Sequence, residues 1–168
     1  MKLEKLNLVM SYPVNWSVFM VMRDYIQNFY DAVGWERFGT SFAYDYNRET
    51  KKLEMCANRD FSMDWLTYIG ASSKRAELSG RQIGRFGEGF KIASLVALRD
   101  FGWDIVMRSR NWKIHVTEAE DMIDGVQVKV LAYETEETEF FPGAVLMLGN
   151  VNGDQAAVFD EGLGDFYY

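Results

Sequence analysis

Apolar residues fall at two spacings along this 168-residue chain, and the change of period divides it. Between residues 18 and 33, Val18, Met22, Tyr25, Ile26, Phe29 and Val33 line one face at helical spacing. Before them, Pro13 closes a weakly alternating stretch, 3–12, that reads as a short strand or arm. Asn15 or Ser17 can cap the helix, and Gly34 ends it. Phe42, Tyr44 and Tyr46 then alternate with polar or small residues. With the run 52–57 and a turn at 47–51, they predict a hairpin over 41–58. After a polar break, 63–69 is long enough for a short helix that ends at Gly70. Residues 70–86 have no period and predict a long loop. A second helix is expected over 88–100, where Ile92, Leu95 and Val96 repeat among the helix formers Ala93 and Ala97.

Beyond residue 102 the period is two. The runs 103–108, 112–117, 126–133 and 144–148 predict four strands in an antiparallel meander. The acidic stretches 118–124 and 134–139 read as solvated turns between them. The tail, 152–168, is rich in glycine and acid with terminal aromatics, and reads as a frayed end or a docking segment.

Composition narrows the classes. The length, with 48% hydrophobic and 15% aromatic residues, predicts one folded domain, 1–151, followed by the tail. A net charge of −7 argues against a general nucleic-acid or anionic-membrane binder, so nucleic acid is not indicated. The loop 70–86 is the basic exception, with Lys74, Arg75, Arg81 and Arg85 against Glu77. Cys56 and His115 are the only cysteine and histidine, so an intrachain disulfide is excluded and a His/Cys metal site or a Ser-His-Asp triad is discounted. His115 fits the alternation of its own strand. No apolar run approaches the roughly 20 residues of a membrane-spanning helix. The first ten residues include Glu4 and lack a cleavage pattern, so the expectation is a soluble cytoplasmic protein with no membrane partner.

Two stretches carry candidate chemistry. On the first helix Asp24, Asn28 and Asp31 stand opposite the apolar face at i, i+4 and i+7. One reading is a solvated face. The other starts from the side-chain types: short oxygen donors one turn apart suit Mg²⁺, which prefers oxygen ligands and retained waters. The second stretch holds Gly84, Gly87 and Gly89 at the mouth of the second helix. Glycines permit close approach, and the first amides of a helix attract anions. This is not a Walker A loop, because Phe90 separates Gly89 from Lys91 and Ile92 follows. Nor is it the dinucleotide fingerprint, whose glycines run in the opposite order. A phosphate cradle and a plain glycine turn before a core helix both remain open.

Taken together, the segments resemble the ATP-binding domain shared by gyrase, the Hsp-type chaperone, histidine kinases and MutL, the GHKL superfamily. The resemblance spans roughly residues 12–148. Its first motif is matched by Asp24-Tyr25-Ile26-Gln27-Asn28-Phe29-Tyr30-Asp31-Ala32, and its glycine motif by Gly84-Arg85-Phe86-Gly87-Glu88-Gly89-Phe90. The start of its ATP lid resembles the run from Tyr68 through Gly70 to Ser73 and Lys74. The resemblance implies an α+β, two-layer sandwich (the Bergerat fold), with a mixed, mainly antiparallel sheet and helices on one face. It implies ATP and Mg²⁺ as cofactors, with Asn28 on the metal and Asp24 in place of the family's water-orienting Glu. Asp31 belongs to the same motif. Gly84, Phe86, Gly87, Glu88, Gly89 and Phe90 would surround the phosphates, with Ser73, Lys74 and Lys91 nearby. Asn58 and Met63 would stand at the adenine, in the run Asn58-Arg59-Asp60-Phe61-Ser62-Met63. There Asn58 replaces the family's Asp and both of its glycines are missing. Asp60 is the substitute if the loop shifts register. The implied activity is ATP binding with slow, Mg-dependent hydrolysis. The alternatives are a non-hydrolysing module acting through a protein partner and a small anti-sigma-type serine/threonine kinase. A homodimer is a further expectation. No phospho-accepting His helix is present, which sets histidine kinases aside.

Overall fold

A computed structural model describes residues 1–61 and 82–166, with 82–87 described by backbone alone. Its sheet is built on two long strands, β4 (Asp104–Ile123) and β5 (Val126–Gly149), labelled with the three strands that precede them. They pair antiparallel from Asp104 opposite Gly149 to Ile123 opposite Val126. Asp124 and Gly125 make the turn, at φ 50° and 78°. A two-residue hairpin loop that follows the strand twist needs positive φ at both positions, and Asp-Gly tolerates it. On its other edge β5 takes β1 (Lys2–Val9) alongside residues 130–135, and β3 (Lys52–Ala57) alongside residues 144–148. β2 (Phe42–Asn47) pairs β3 as the predicted hairpin. All the described pairings are antiparallel.

The expected four-strand meander is thus two strands. Residues 118–123 and 134–139, expected as turns, lie inside β4 and β5. Glu134 and Glu136 flank the buried Thr135, and lysines face some of the acids across the ladder: Lys113–Glu136 at 3.7 Å and Lys129–Glu118 at 3.7 Å. A strand with one wet face carries such a charge run as easily as a turn does. What reads in sequence as a gap near residue 110 is a bulge. Ile105, Met107 and Ser109 are buried before it, and Trp112, Ile114 and Val116 after it. The register shifts at Arg110, whose φ is 47°, and the core face changes from odd to even positions.

Four helices complete the described residues. α1 (Val18–Val33) starts where Ser17 Oγ accepts from Met20 N at 3.2 Å, and ends at Gly34, φ 89°. α2 (Phe38–Ser41) is a single turn. α3 (Gln82–Val96) begins earlier than residue 88 and runs into a π-helical turn, Ala97–Phe101, closed by Gly102 at φ 69°. There Arg99 Nη1 donates to the carbonyls of Met10 and Tyr12, both at 2.9 Å, and Nη2 to that of Val14 at 2.8 Å. Asp100 holds the rest of the guanidinium, at 2.9 Å from Nε. The tail is no frayed end over its described length. α4 (Gly153–Leu163) has a capping box between Asn152 and Gln155. It packs on α1, burying Phe159, Leu163 and, beyond its end, Phe166. Met22, Ile26 and Phe29 of α1 share one core with Leu53, Met55, Ile105, Met107, Leu146 and Leu148 of the sheet. Among the described residues no helix is long and apolar enough to cross a membrane.

Candidate functional site

The face of α1 that could have been solvated is covered. Asn28 is 6% exposed, and Asp24 Oδ2 and Asn28 Nδ2 are buried without a hydrogen-bond partner among the described residues. The cover is α3. A Cβ built on Gly89 would stand 2.5 Å from Asp24 Oδ1 and 3.1 Å from Cγ, so only glycine lets the two helices meet there. Burial pushes the Asp24 carboxyl up from 3.8 to about 7. The neighbouring Asn28 amide and Arg23 pull it down, and the charge of Asp31 pushes it up. Asn28 Nδ2 leans on the carboxylate without a hydrogen bond of good geometry. Asp31 itself accepts from Gln27 Nε2 at 2.7 Å and reaches Asp24 only through its charge.

The glycines sit differently from expectation. Gly84 and Gly87 lie within α3, not ahead of it, while Gly89 and Phe90 lie in the helix where one was expected. A helix leaves its first four amides without an internal partner, so Gly84 N is free of the ladder while those of Gly87, Gly89 and Phe90 belong to it. Phe90 is a core residue, with ring centroids 5.8 Å from Tyr25 and 6.2 Å from Tyr133. Lys91 is 2% exposed, and burial pushes its ammonium down to about 8 against the charges of Glu4 and Glu88. Glu88 is half-buried. Tyr25 Oη and Ser94 Oγ hydrogen-bond at 3.0 Å and pin the same seam. Met63, Ser73, Lys74, the helix expected at 63–69 and the loop 70–81 lie outside the described residues, as does the side chain of Phe86.

At the end of β3 the two base-reading candidates separate. Asn58 is exposed and makes no hydrogen bond among the described residues. Asp60 is held: its Oδ1 accepts from Gly143 N at 2.8 Å, and Arg110 Nε lies 3.8 Å from Oδ2. Gly143, at φ 88°, approaches so closely that a Cβ there would be 2.5 Å from the Ala57 carbonyl oxygen. Ser109 Oγ donates to Gly143 O at 2.6 Å and accepts from Phe61 N at 3.0 Å. Trp112 Nε1 donates to Phe61 O at 3.0 Å. With its ring tilted against that of Phe29 and centroids 5.4 Å apart, Phe61 brings this loop against α1. Sequence reasoning missed Ser109 and Trp112, and placed Gly143 near the base only by the resemblance. The available signal was Pro142-Gly143 inside a strand pattern, which points to a bulge or a close backbone approach.

Among the described residues no group of three or more His, Cys, Asp or Glu side chains comes together as a metal site. His115 pairs with Asp104 at 2.6 Å on the sheet face away from the helices. Neither a protein-family model nor a curated protein sequence matches the chain.

Proposed function

We propose that the protein binds ATP with Mg²⁺ against the α1–α3 seam, in the manner of a GHKL domain, and hydrolyses it slowly. One observation carries the reading. Asp24 Oδ2 and Asn28 Nδ2 are buried together, unpartnered among the described residues, on the helix face the resemblance singles out. Each buried polar group left unsatisfied costs about 1–3 kcal/mol. A fold that keeps two of them side by side is readily explained by a ligand that satisfies both.

The donor chemistry fits Mg²⁺ with a triphosphate. No described cluster of three acidic or imidazole side chains holds a metal, so the ion would draw its other oxygens from phosphate and water, as Mg²⁺ at nucleotide sites commonly does. Asn28 supplies the protein oxygen through its amide carbonyl. When bound, the ion neutralises phosphate charge. Asp24 takes a proton from the attacking water, and a carboxyl near 7 is poised for that at neutral pH. The free amides of the first turn of α3, Gly84 among them, are turned to anions by the helix dipole. Asp60, rather than Asn58, takes the base-reading role: Gly143 fixes its orientation, and Oδ2, paired only at 3.8 Å with Arg110, accepts from an exocyclic amino group.

The non-hydrolysing module is favoured by a separate observation. The amides of Gly87 and Gly89 are spent inside α3, which leaves fewer donors for the phosphates. Titration of a fluorescent ATP analogue with and without Mg²⁺, alongside phosphate release by the wild type and Asp24→Asn, separates the two. The proposal expects Mg-dependent binding and turnover that falls about 10²-fold or more in the variant. Binding with no turnover selects the module, and no binding at all refutes both.

A further inference from the structure

We propose that the tip of the β4–β5 hairpin docks into the groove between β2 and α4 of a second copy of this chain. β1 stops beside Val130, with a last contact from Met10 N to Lys129 O at 2.8 Å, so among the described strands the hairpin beyond it is paired only with itself. Its tip carries Met122, Ile123 and Val126 at 63%, 45% and 61% exposure. Ile123 and Val126 are directly opposite each other and so share a face. A two-stranded ribbon has no core of its own, and the three large apolar side chains gathered at its end are uncovered among the described residues. Between them sits Asp124, which makes no ion pair among the described residues.

The complementary surface is at the opposite edge of the sheet. A groove of about 250 Å³ runs between β2 and α4, walled by Tyr44, Tyr46, Leu53, Ala157 and Phe159, with Arg48 on its rim. Asp160 also lines it. Arg48 likewise makes no ion pair among the described residues. Its turn is rigid, because Asn47 Oδ1 accepts from the amides of Glu49 and Thr50 at 2.9 and 3.1 Å. Beside the groove, β2 pairs with β3 alone among the described strands and leaves an edge that an added strand can extend. An apolar tip bearing one acid thus meets an apolar-walled groove that carries one base, Arg48, and one acid, Asp160, next to a strand edge, and the charge match is the single pair Asp124 with Arg48. Tip and groove are different patches, so each copy both gives and receives, and the contact is heterologous unless two copies exchange tips.

Sedimentation of the full chain, in a series reaching about 1 mM, tests this, because contacts of this size are weak and transient. The wild type should self-associate. Ile123→Ser with Val126→Ser should weaken association about tenfold or more at unchanged circular dichroism. Asp124→Asn keeps the turn residue type, and Arg48→Gln keeps the length of the stem. Each should weaken association by a few fold, and the double variant no further than either alone. A chain that stays monomeric throughout overturns the proposal. So does self-association indifferent to the tip, or additive charge variants.

Discussion

The two flanks of α1 are built to different rules. Toward α4 the contact is apolar and closed. Tyr30 and Phe38 meet Phe166 with centroids 5.1 and 6.0 Å apart, and Gly162 lets the helices approach at Ile26 and Arg23. The one ion pair there, Arg23–Asp165 at 3.1 Å, lies on the half-exposed rim. Toward α3 the contact is equally close but polar, with an acid near neutrality and an amide nitrogen left unsatisfied. Both flanks bury α1, but only the α4 flank does so in the way that maximises stability. Residues that cost stability where packing alone would not need them mark the flank kept for something else.

Breaking the α4 flank should have the largest effect. Phe159→Ala should destabilise the protein by about 3–5 kcal/mol in chemical denaturation, the usual range for a buried aromatic. A loss below about 1 kcal/mol would mean that α4 is an appendage and not half of the core.

Next comes the polar flank, with the opposite sign. Because the native Asp24 carboxyl titrates near 7 and the unfolded one near 3.8, the native state holds the extra proton between those values. Unfolding free energy therefore falls as pH rises from about 4 to 7, and levels off above. Asp24→Asn should remove that slope and leave the variant more stable than the wild type at pH 8, on the order of 4 kcal/mol. At pH 4 the two should match. Parallel stability profiles across this range would show that Asp24 is not desolvated in solution.

Gly89→Ala sharpens the contrast at about 1 kcal/mol. Alanine favours a helix by about that amount, but here its Cβ meets Asp24. The substitution should destabilise the wild type and stabilise an Asp24→Ala background, a sign reversal that melting curves can read. The smallest effect belongs to the rim: Arg23→Ala should cost under about 1 kcal/mol, and less at high salt.

These contacts explain what sequence made legible. The apolar face of α1 was readable because periodicity is local, and Asp24, Asn28 and Asp31 stood out by residue type. Their burial was not readable, because it is imposed by a helix some sixty residues on. Gly84 read as loop, and Gly87 and Gly89 as the mouth of a helix, because glycine disfavours helices by propensity. At Gly89 a tertiary demand, room for a carboxylate, outweighs that preference. The acids of β4 and β5 read as turns because charge does not distinguish a wet strand face from a loop. α4 was obscured by Gly153 and Gly162, of which the first opens the helix and the second sits against α1. Counting back from Met63 pointed to Asn58, whereas the side chain held in place there is that of Asp60, by the hydrogen bond from Gly143.

The guanidinium of Arg99 has a mechanical consequence. It pins the far end of α3 to the three carbonyls that lead into α1, so the two helices share one hinge pin. Gly89 lies ten residues from that pin, about 15 Å along the helix axis. A tilt of about 5° at the pin swings Gly89 by roughly 1.3 Å, with the helix as the lever arm. Gly89 closes over Asp24 with less room than a methyl group needs, and a displacement of that size widens the seam, so the leverage of one arginine sets how little rotation exposes the acid to water.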